Sequence, residues 1–309
     1  MPSNVDSGRS HGETQFADPP VDLRPPITPR RQKLYELPFG RQAAAVRDRA
    51  ENLRAKRRIR VFAGSPDGRR SLEIFDALYE QQRGQSGVIV CNGPSLNETD
   101  LSLLTDVPYI LMNRGYLLAD RLPSPPVALC AGAELVLEQY GDEIADLDTT
   151  LIIPAEHKHY IKRTDQVAYT ALDLRWLFAT RIGSSLFPGY TITFLALQLA
   201  YHLGWTKASI IGMDHRYSQG GDPRVIATTQ GSDPNHFDPN YFGHGSKWKW
   251  PALQLNEYSY KLSRAAFEAA GRRVVDCTVN GACEVFAKGD FALELASPPP
   301  AAGSISDEP

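Results

Sequence analysis

The chain has 309 residues, 42% of them hydrophobic and 22% charged, with a formal net charge of -3. That is globular composition, enough for one large domain with appendages or two small ones, and its near-neutral balance disfavours nucleic acid as the main partner. No uncharged apolar run approaches the roughly 18 residues that a membrane span needs, and the N-terminus has no apolar signal core. Cys91, Cys130, Cys277 and Cys283 are scattered without a C-x-x-C. These features predict a reduced, cytoplasmic protein.

Residues 1–30 carry six prolines and no periodicity, which reads as a disordered tail. The segment 31–84 reads as a basic helical extension. Within it, Gln42–Arg60 has Ala43, Val46, Ala50 and Leu53 at helical spacing. Its other face carries Arg41, Arg47, Arg49, Arg54, Lys56, Arg57, Arg58 and Arg60, either a solvated surface or an electrostatic foot for anionic lipid at the inner face of a membrane. Ile59–Phe62 is strand-like and Leu72–Gln82 helical. From there strands and helices alternate. Strands are predicted at Val88–Cys91, Tyr109–Met112, Val127–Cys130, Leu151–Ile153, Ala208–Ile211 and Arg273–Cys277. Helices are predicted at Leu101–Leu104, Glu134–Ile144, Leu172–Phe178, Thr191–Leu203 and Leu253–Ala270. This order predicts an α/β fold: a Rossmann-like, doubly wound, mainly parallel sheet with helices on both faces, over residues 85–292. Residues 293–309 read as a second disordered tail.

The central stretch is Gly87–Leu96, GVIVCNGPSL. An unbroken apolar run ending in turn formers suits a strand buried on both faces. Gly93 permits a sharp turn, and Ser95 with Glu98 has capping-box spacing. Such an amide-rich turn at the carboxyl edge of a parallel sheet is where anions and nucleotides bind, although neither a Walker loop nor a G-x-G-x-x-G is present. Asn113-Arg114 and Asp214-His215 end two further strands, so their polar groups converge on the same edge. A polar segment at about 218–250, rich in Gly, Pro and Asp, reads as a lid. His244, between two glycines and after two aromatics, is the candidate general base, because imidazole titrates near neutrality. His236, Asp238 and Tyr241 share the lid. Its His and Asp spacing matches no common zinc site.

CNGPSL, MNRGYLL, LVLEQY, TITFLALQLAYHLGW, IIGMD and YFGHG, in this order, resemble one superfamily. The chain is similar to the bacterial sialyltransferases of glycosyltransferase family 42. It resembles still more the family of unknown function 115, which includes motility accessory factors and archaeal 6-hydroxymethylpterin diphosphokinases. The resemblance implies metal-independent transfer of a sugar from a nucleotide-activated, CMP-linked donor to a glycan, glycolipid or protein hydroxyl, without a cofactor. It implies that Asn92, Gly93 and Ser95 hold the nucleotide phosphate and ribose, and that Asn113 contacts the sugar phosphate or cytidine. Thr191 would bind the sugar carboxylate, Asp214 the cytidine side, and His244 would be the base. Arg216 or Tyr217 would stabilise the leaving phosphate. Two departures stand out: Gly132 or Ala133 replaces the family's asparagine before the EQY segment, and the second phosphate-binding tyrosine has no match. Two alternatives follow: a Mg²⁺-dependent diphosphokinase using Asp214 with Asp222, Asp233 or Asp238, and a non-catalytic surface-polysaccharide assembly factor.

Overall fold

The computed structural model describes residues 38–297 except 164, 184 and 219, together with a two-residue strand at Gln15–Phe16. Nine strands form one sheet. They are Ser86–Val90 (β1), Tyr109–Met112 (β2), Ala128–Cys130 (β3), Leu151–Pro154 (β4) and Val167–Leu172 (β5). Ser185–Leu186 (β6), Lys207–Ile211 (β7), Arg273–Asp276 (β8) and Ala287–Lys288 (β9) complete it. Their order is β9-β8-β7-β1-β2-β3-β4-β5-β6, and every neighbouring pair runs parallel. The chain starts at β1, winds outward to β6, returns to the other side of β1 and winds outward again. This is the doubly wound, Rossmann-like arrangement, with its topological switch between β1 and β7.

The helices are Gly40–Ala63 (α1), Pro66–Gln82 (α2), Glu134–Ala145 (α3), Ile192–His202 (α4), Leu253–Ala269 (α5) and Phe291–Ala296 (α6). Period-two alternation in the strands feeds two cores. Ile89, Ile110 and Ala128 pack on one face with Phe75, Phe194 and Phe267, whereas Val88, Val90, Leu111 and Leu129 pack on the other with Val136 and Tyr241. Both faces are therefore covered, which is why β2, β3 and β4 are apolar throughout, while β7 buries Lys207 and Ser209. Gly87 marks a close approach: a Cβ there would lie 2.4 Å from the fully buried Trp205 ring.

Several sequence expectations are corrected. Ile59–Phe62 is the last part of α1, not a strand. Leu172–Phe178 is no helix: Leu172 ends β5, a strand whose apolar run VAYTAL went unread. The helix α2 belongs to the domain core rather than to an extension, since Phe75 and Leu78 are buried in it. It is started by Pro66 and by Ser65, whose Oγ accepts the Gly68 N–H at 3.0 Å. In α1 the predicted apolar stripe faces solvent, with Val46 71% and Leu53 62% exposed, while Gly40, Ala44 and Ala55 are the buried positions. The helix has apolar residues on two opposite sides, and the smaller ones pack inward. Phe291–Ala296 is helical, overlapping the segment 293–309 read as disordered. Gln15–Phe16 pairs with Ala179–Arg181 within the segment read as disordered. The remaining tail assignments, 1–14, 17–30 and 298–309, lie outside the described residues.

One buried histidine gives the fold a pH signature. The His202 Nδ1 accepts the Ile182 N–H at 3.1 Å, and Nε2–H donates to the Phe75 carbonyl at 3.2 Å. Burial lowers its pKa to about 4, against an ordinary value of 6.5. A folded-state pKa below the unfolded one means that the unfolded chain binds the extra proton, so this stability is complete above pH 6.5 and is lost as pH falls toward 4. Between pH 6.5 and 5 the loss should be about 1.5 kcal/mol. Urea titrations across that range should show it, and His202→Gln, which keeps a donor and an acceptor but does not titrate, should remove most of it.

Candidate functional site

At the switch point the ends of β1 and β7 are tied to each other. The Gly93 N–H donates to the Gly212 carbonyl at 2.8 Å. Asp214 accepts the Ser95 backbone N–H at 3.2 Å on Oδ1 and the Ser95 hydroxyl at 2.7 Å on Oδ2. The amides expected to cradle a phosphate are thus committed to the neighbouring strand end. Ser95 is buried beneath the site, and its hydroxyl serves Asp214 rather than a capping box with Glu98. Pro94–Asn97 is accordingly a single 3-10 turn. Gly93 is required by proximity, because a Cβ there would lie 1.8 Å from Asp214 Oδ2.

Above this clamp is an inner cavity of 190 Å³. It brings together Asn92, Gly93, Asn113, Thr191, Asp214, Arg216, Tyr217, His236 and Tyr241, all singled out from sequence, together with His215. Asn113 and His215 both adopt left-handed backbone conformations, φ 48 and 54, which turn the chain over the cavity. Asn92 Nδ2 donates to the Met112 carbonyl at 3.1 Å, while the Oδ1 atoms of Asn92 and Asn113 are buried acceptors with no donor among the described residues. Buried acceptors normally find a donor, so these two favour a ligand with N–H or O–H groups. Thr191 caps α4, and the first turn of that helix, Ile192 and Thr193, lines the cavity, adding partial positive charge. Arg216 supplies a full one and donates to the Asn280 carbonyl. The Tyr217 ring is 38% exposed, but burial of its phenol, with nearby Cys91, Asp214 and Asp233, pushes the pKa up to about 12. It therefore stays a hydrogen-bond donor at any working pH.

The lid is docked over the strand ends. Phe237 N–H donates to the Asn92 carbonyl at 3.0 Å, and Asn97 Nδ2 to the Phe237 carbonyl at 2.8 Å. Arg114, almost wholly buried, donates to the carbonyls of Asn240 and Tyr241 and lies 3.8 Å above the Tyr140 ring. Gln139 exchanges two hydrogen bonds with the Lys247 backbone, at 2.9 and 2.7 Å, and so holds the hairpin formed by Ile226–Thr228 and Lys247–Lys249. The result is an outer cleft of 910 Å³, with Trp248, Trp250 and Phe242 among its walls.

His236 lines both the inner cavity and the outer cleft. Its Nδ1 bonds Asp233 Oδ2 at 2.8 Å, and its ring stacks on Tyr241 at 3.9 Å with 2° between planes. Asp233 is buried, which would raise its pKa, but the His236 bond and charge and the Asn235 and Phe242 N–H groups outweigh this and hold it below the ordinary value. An ionised carboxylate on Nδ1–H leaves Nε2 as the basic nitrogen. The structure separates His244 from this arrangement: it is exposed, bonds the Gln230 carbonyl at 3.2 Å and lines neither cavity. Asp238 also stands apart, capping a turn through the Asn240 N–H at 2.7 Å.

Sequence reading missed Arg114, Gln139 and Tyr140 as lid anchors, and Asp233 as the partner of His236. The Asp-x-x-His spacing of Asp233 and His236 was the available signal. Searches against family models, curated proteins and solved structures return no match. Among the described residues no three His, Cys, Asp or Glu side chains group as metal ligands. Asp214 is engaged by Ser95 and Asp233 by His236.

The clamp yields a direct prediction. Gly93→Ala forces its methyl into Asp214, and overpacking of this kind costs about 1–3 kcal/mol. Denaturant unfolding should show that loss, whereas Gly243→Ala, where an added Cβ would meet nothing closer than 4.0 Å, should stay near wild type.

Proposed function

We propose that the protein is a glycosyltransferase that moves a sugar from a nucleotide-activated donor anchored in the inner cavity to a hydroxyl of an acceptor in the outer cleft. The observation that carries this reading is the shared wall: one imidazole, oriented by a buried carboxylate, touches both cavities. In the reaction the acceptor hydroxyl gives its proton to His236 Nε2 as its oxygen attacks the anomeric carbon. The anomeric C–O bond to phosphate breaks, and its electron pair leaves with the phosphate. Arg216, the Tyr217 hydroxyl and the amino end of α4 supply the positive potential that receives that charge, in a site where preorganised donors contribute most. Asn92 and Asn113, with their unpaired Oδ1 atoms, suit the N–H and O–H groups of a nucleoside. The indoles in the cleft offer flat apolar surface with a polar edge, which suits the mixed faces of a sugar. A CMP-linked donor is the form that the sequence resemblance suggests. Docking of the lid keeps water from competing with the acceptor.

Melting curves with CMP-, UDP- and GDP-sugars and with ATP, each with and without Mg²⁺, identify the donor. A nucleotide sugar at a hundredfold excess over its Kd should add ~2.7 kcal/mol of stability. With that donor, His236→Ala should lower turnover by ~10²–10⁴-fold, the usual contribution of a general base, with little change in donor affinity. His244→Ala should stay within about threefold of wild type on the same basis. If His244 proves essential and His236 dispensable, the assignment of the base is wrong. If only ATP with Mg²⁺ stabilises the fold, glycosyl transfer is wrong.

A further inference from the structure

The helix α1 carries an apolar ridge that the domain does not use. Of the ten large hydrophobic side chains exposed among the described residues, three lie along it: Val46 71%, Leu53 62% and Val61 68%. Their spacing of seven and eight residues places them on one face of the helix. Ala43 and Ala50 lie on the same face. The opposite side, Ala44 and Ala55, is the one buried against the domain. Exposed apolar ridges of this length on a folded domain mark a docking surface.

Charge identifies the occupant. Within Gly40–Ala63 there are eight Lys or Arg residues against Asp48 and Glu51, in a chain whose net charge is -3. Arg47 pairs with Asp48 and Glu51. Arg49, Arg54, Lys56, Arg57, Arg58 and Arg60 are exposed and make no ion pair among the described residues. Helical geometry sets Arg49, Lys56 and Arg60 on one flank of the ridge, Arg54 and Arg58 on the other, and Arg57 on the ridge itself between Leu53 and Val61. A second copy of the same helix would meet this face with the same positive charge, which opposes self-association. An apolar strip between two cationic flanks, crossed by Arg57 whose stem can lie along it with the charged head in water, instead matches a surface of negative headgroups over acyl chains.

We infer that α1 lies flat on an anionic membrane, with Val46, Leu53 and Val61 entering the headgroup boundary and the flanking arginines on the phosphates. The inference does not depend on glycosyl transfer, because its readout is lipid binding. It is also distinct from a span, since no described helix is long and apolar enough to cross a membrane.

Cosedimentation of the full chain with vesicles tests it. At 50 mM salt, vesicles of phosphatidylcholine with about a third phosphatidylglycerol should bind at least tenfold more protein than phosphatidylcholine alone, and salt should weaken the binding through screening. The triple variant Val46→Ser, Leu53→Ser, Val61→Ser should lose at least tenfold while keeping the wild-type melting temperature, because all three side chains are exposed. Absence of binding to the anionic vesicles overturns the inference. So does binding that the triple variant retains in full, which would make the attraction electrostatic only. A dimer in sedimentation velocity that the triple variant dissociates, without vesicle binding, would assign the ridge to a second copy instead.

Discussion

The site depends on one carboxylate. Asp214 comes from the end of β7, yet it takes both the backbone N–H and the hydroxyl of Ser95 at the end of β1. The two strands adjoin only because the chain, having wound outward to β6, returns through α4 to the other side of its starting strand. At such a switch point the loops part and leave a crevice. Asp214 closes the floor of that crevice, and the close approach of Gly93 lets it do so. Removing either donor would leave a partly buried carboxylate short of a partner, which is expensive. The clamp therefore fixes the distance between Asn92 and Arg216, on which any ligand spanning the two strand ends relies.

The second constraint comes from above. The lid is a long polar segment that would be free to move by composition, but its backbone carbonyls are collected by Arg114 and its hairpin by Gln139. Phe237 and Tyr241 enter the core on the same face of the sheet as Val88 and Val90. These ties carry His236 to the boundary between a small polar cavity and a larger aromatic cleft. The chemistry proposed for the protein follows from that position: one imidazole can serve a group bound on either side of it.

Much of this was legible in the sequence, for physical reasons that differ between elements. The strands at Tyr109–Met112 and Ala208–Ile211 were legible as mostly apolar runs followed by Asn113 and by Gly212-Met213-Asp214, because a strand buried on both faces is largely apolar until its edge meets the crevice. Asn92, Gly93, Asn113 and Asp214, which line the inner cavity, follow strand ends and are placed there by topology. Ser95 was misread because a local pattern, Ser-x-x-Glu, competes with a partner 119 residues away that no local rule can find. His244 outranked His236 on its glycine neighbours, although Asp233 three residues before His236 is the feature with chemical content. In α1 the periodicity was right and the face was wrong. Alanines sit on both sides, and the inward side was settled by the fit of Ala44 and Ala55 against the domain rather than by hydrophobicity.

The central claim is that donor and acceptor meet at His236, and a crystal structure with a bound, non-transferable nucleotide-sugar analogue tests it most directly. The account predicts the nucleoside against Asn92 and Asn113, the phosphate within hydrogen-bond distance of Arg216 or the Tyr217 hydroxyl, and the anomeric carbon facing His236 Nε2 across room for one hydroxyl. An analogue found outside the inner cavity, or one whose anomeric carbon faces away from His236, would contradict it.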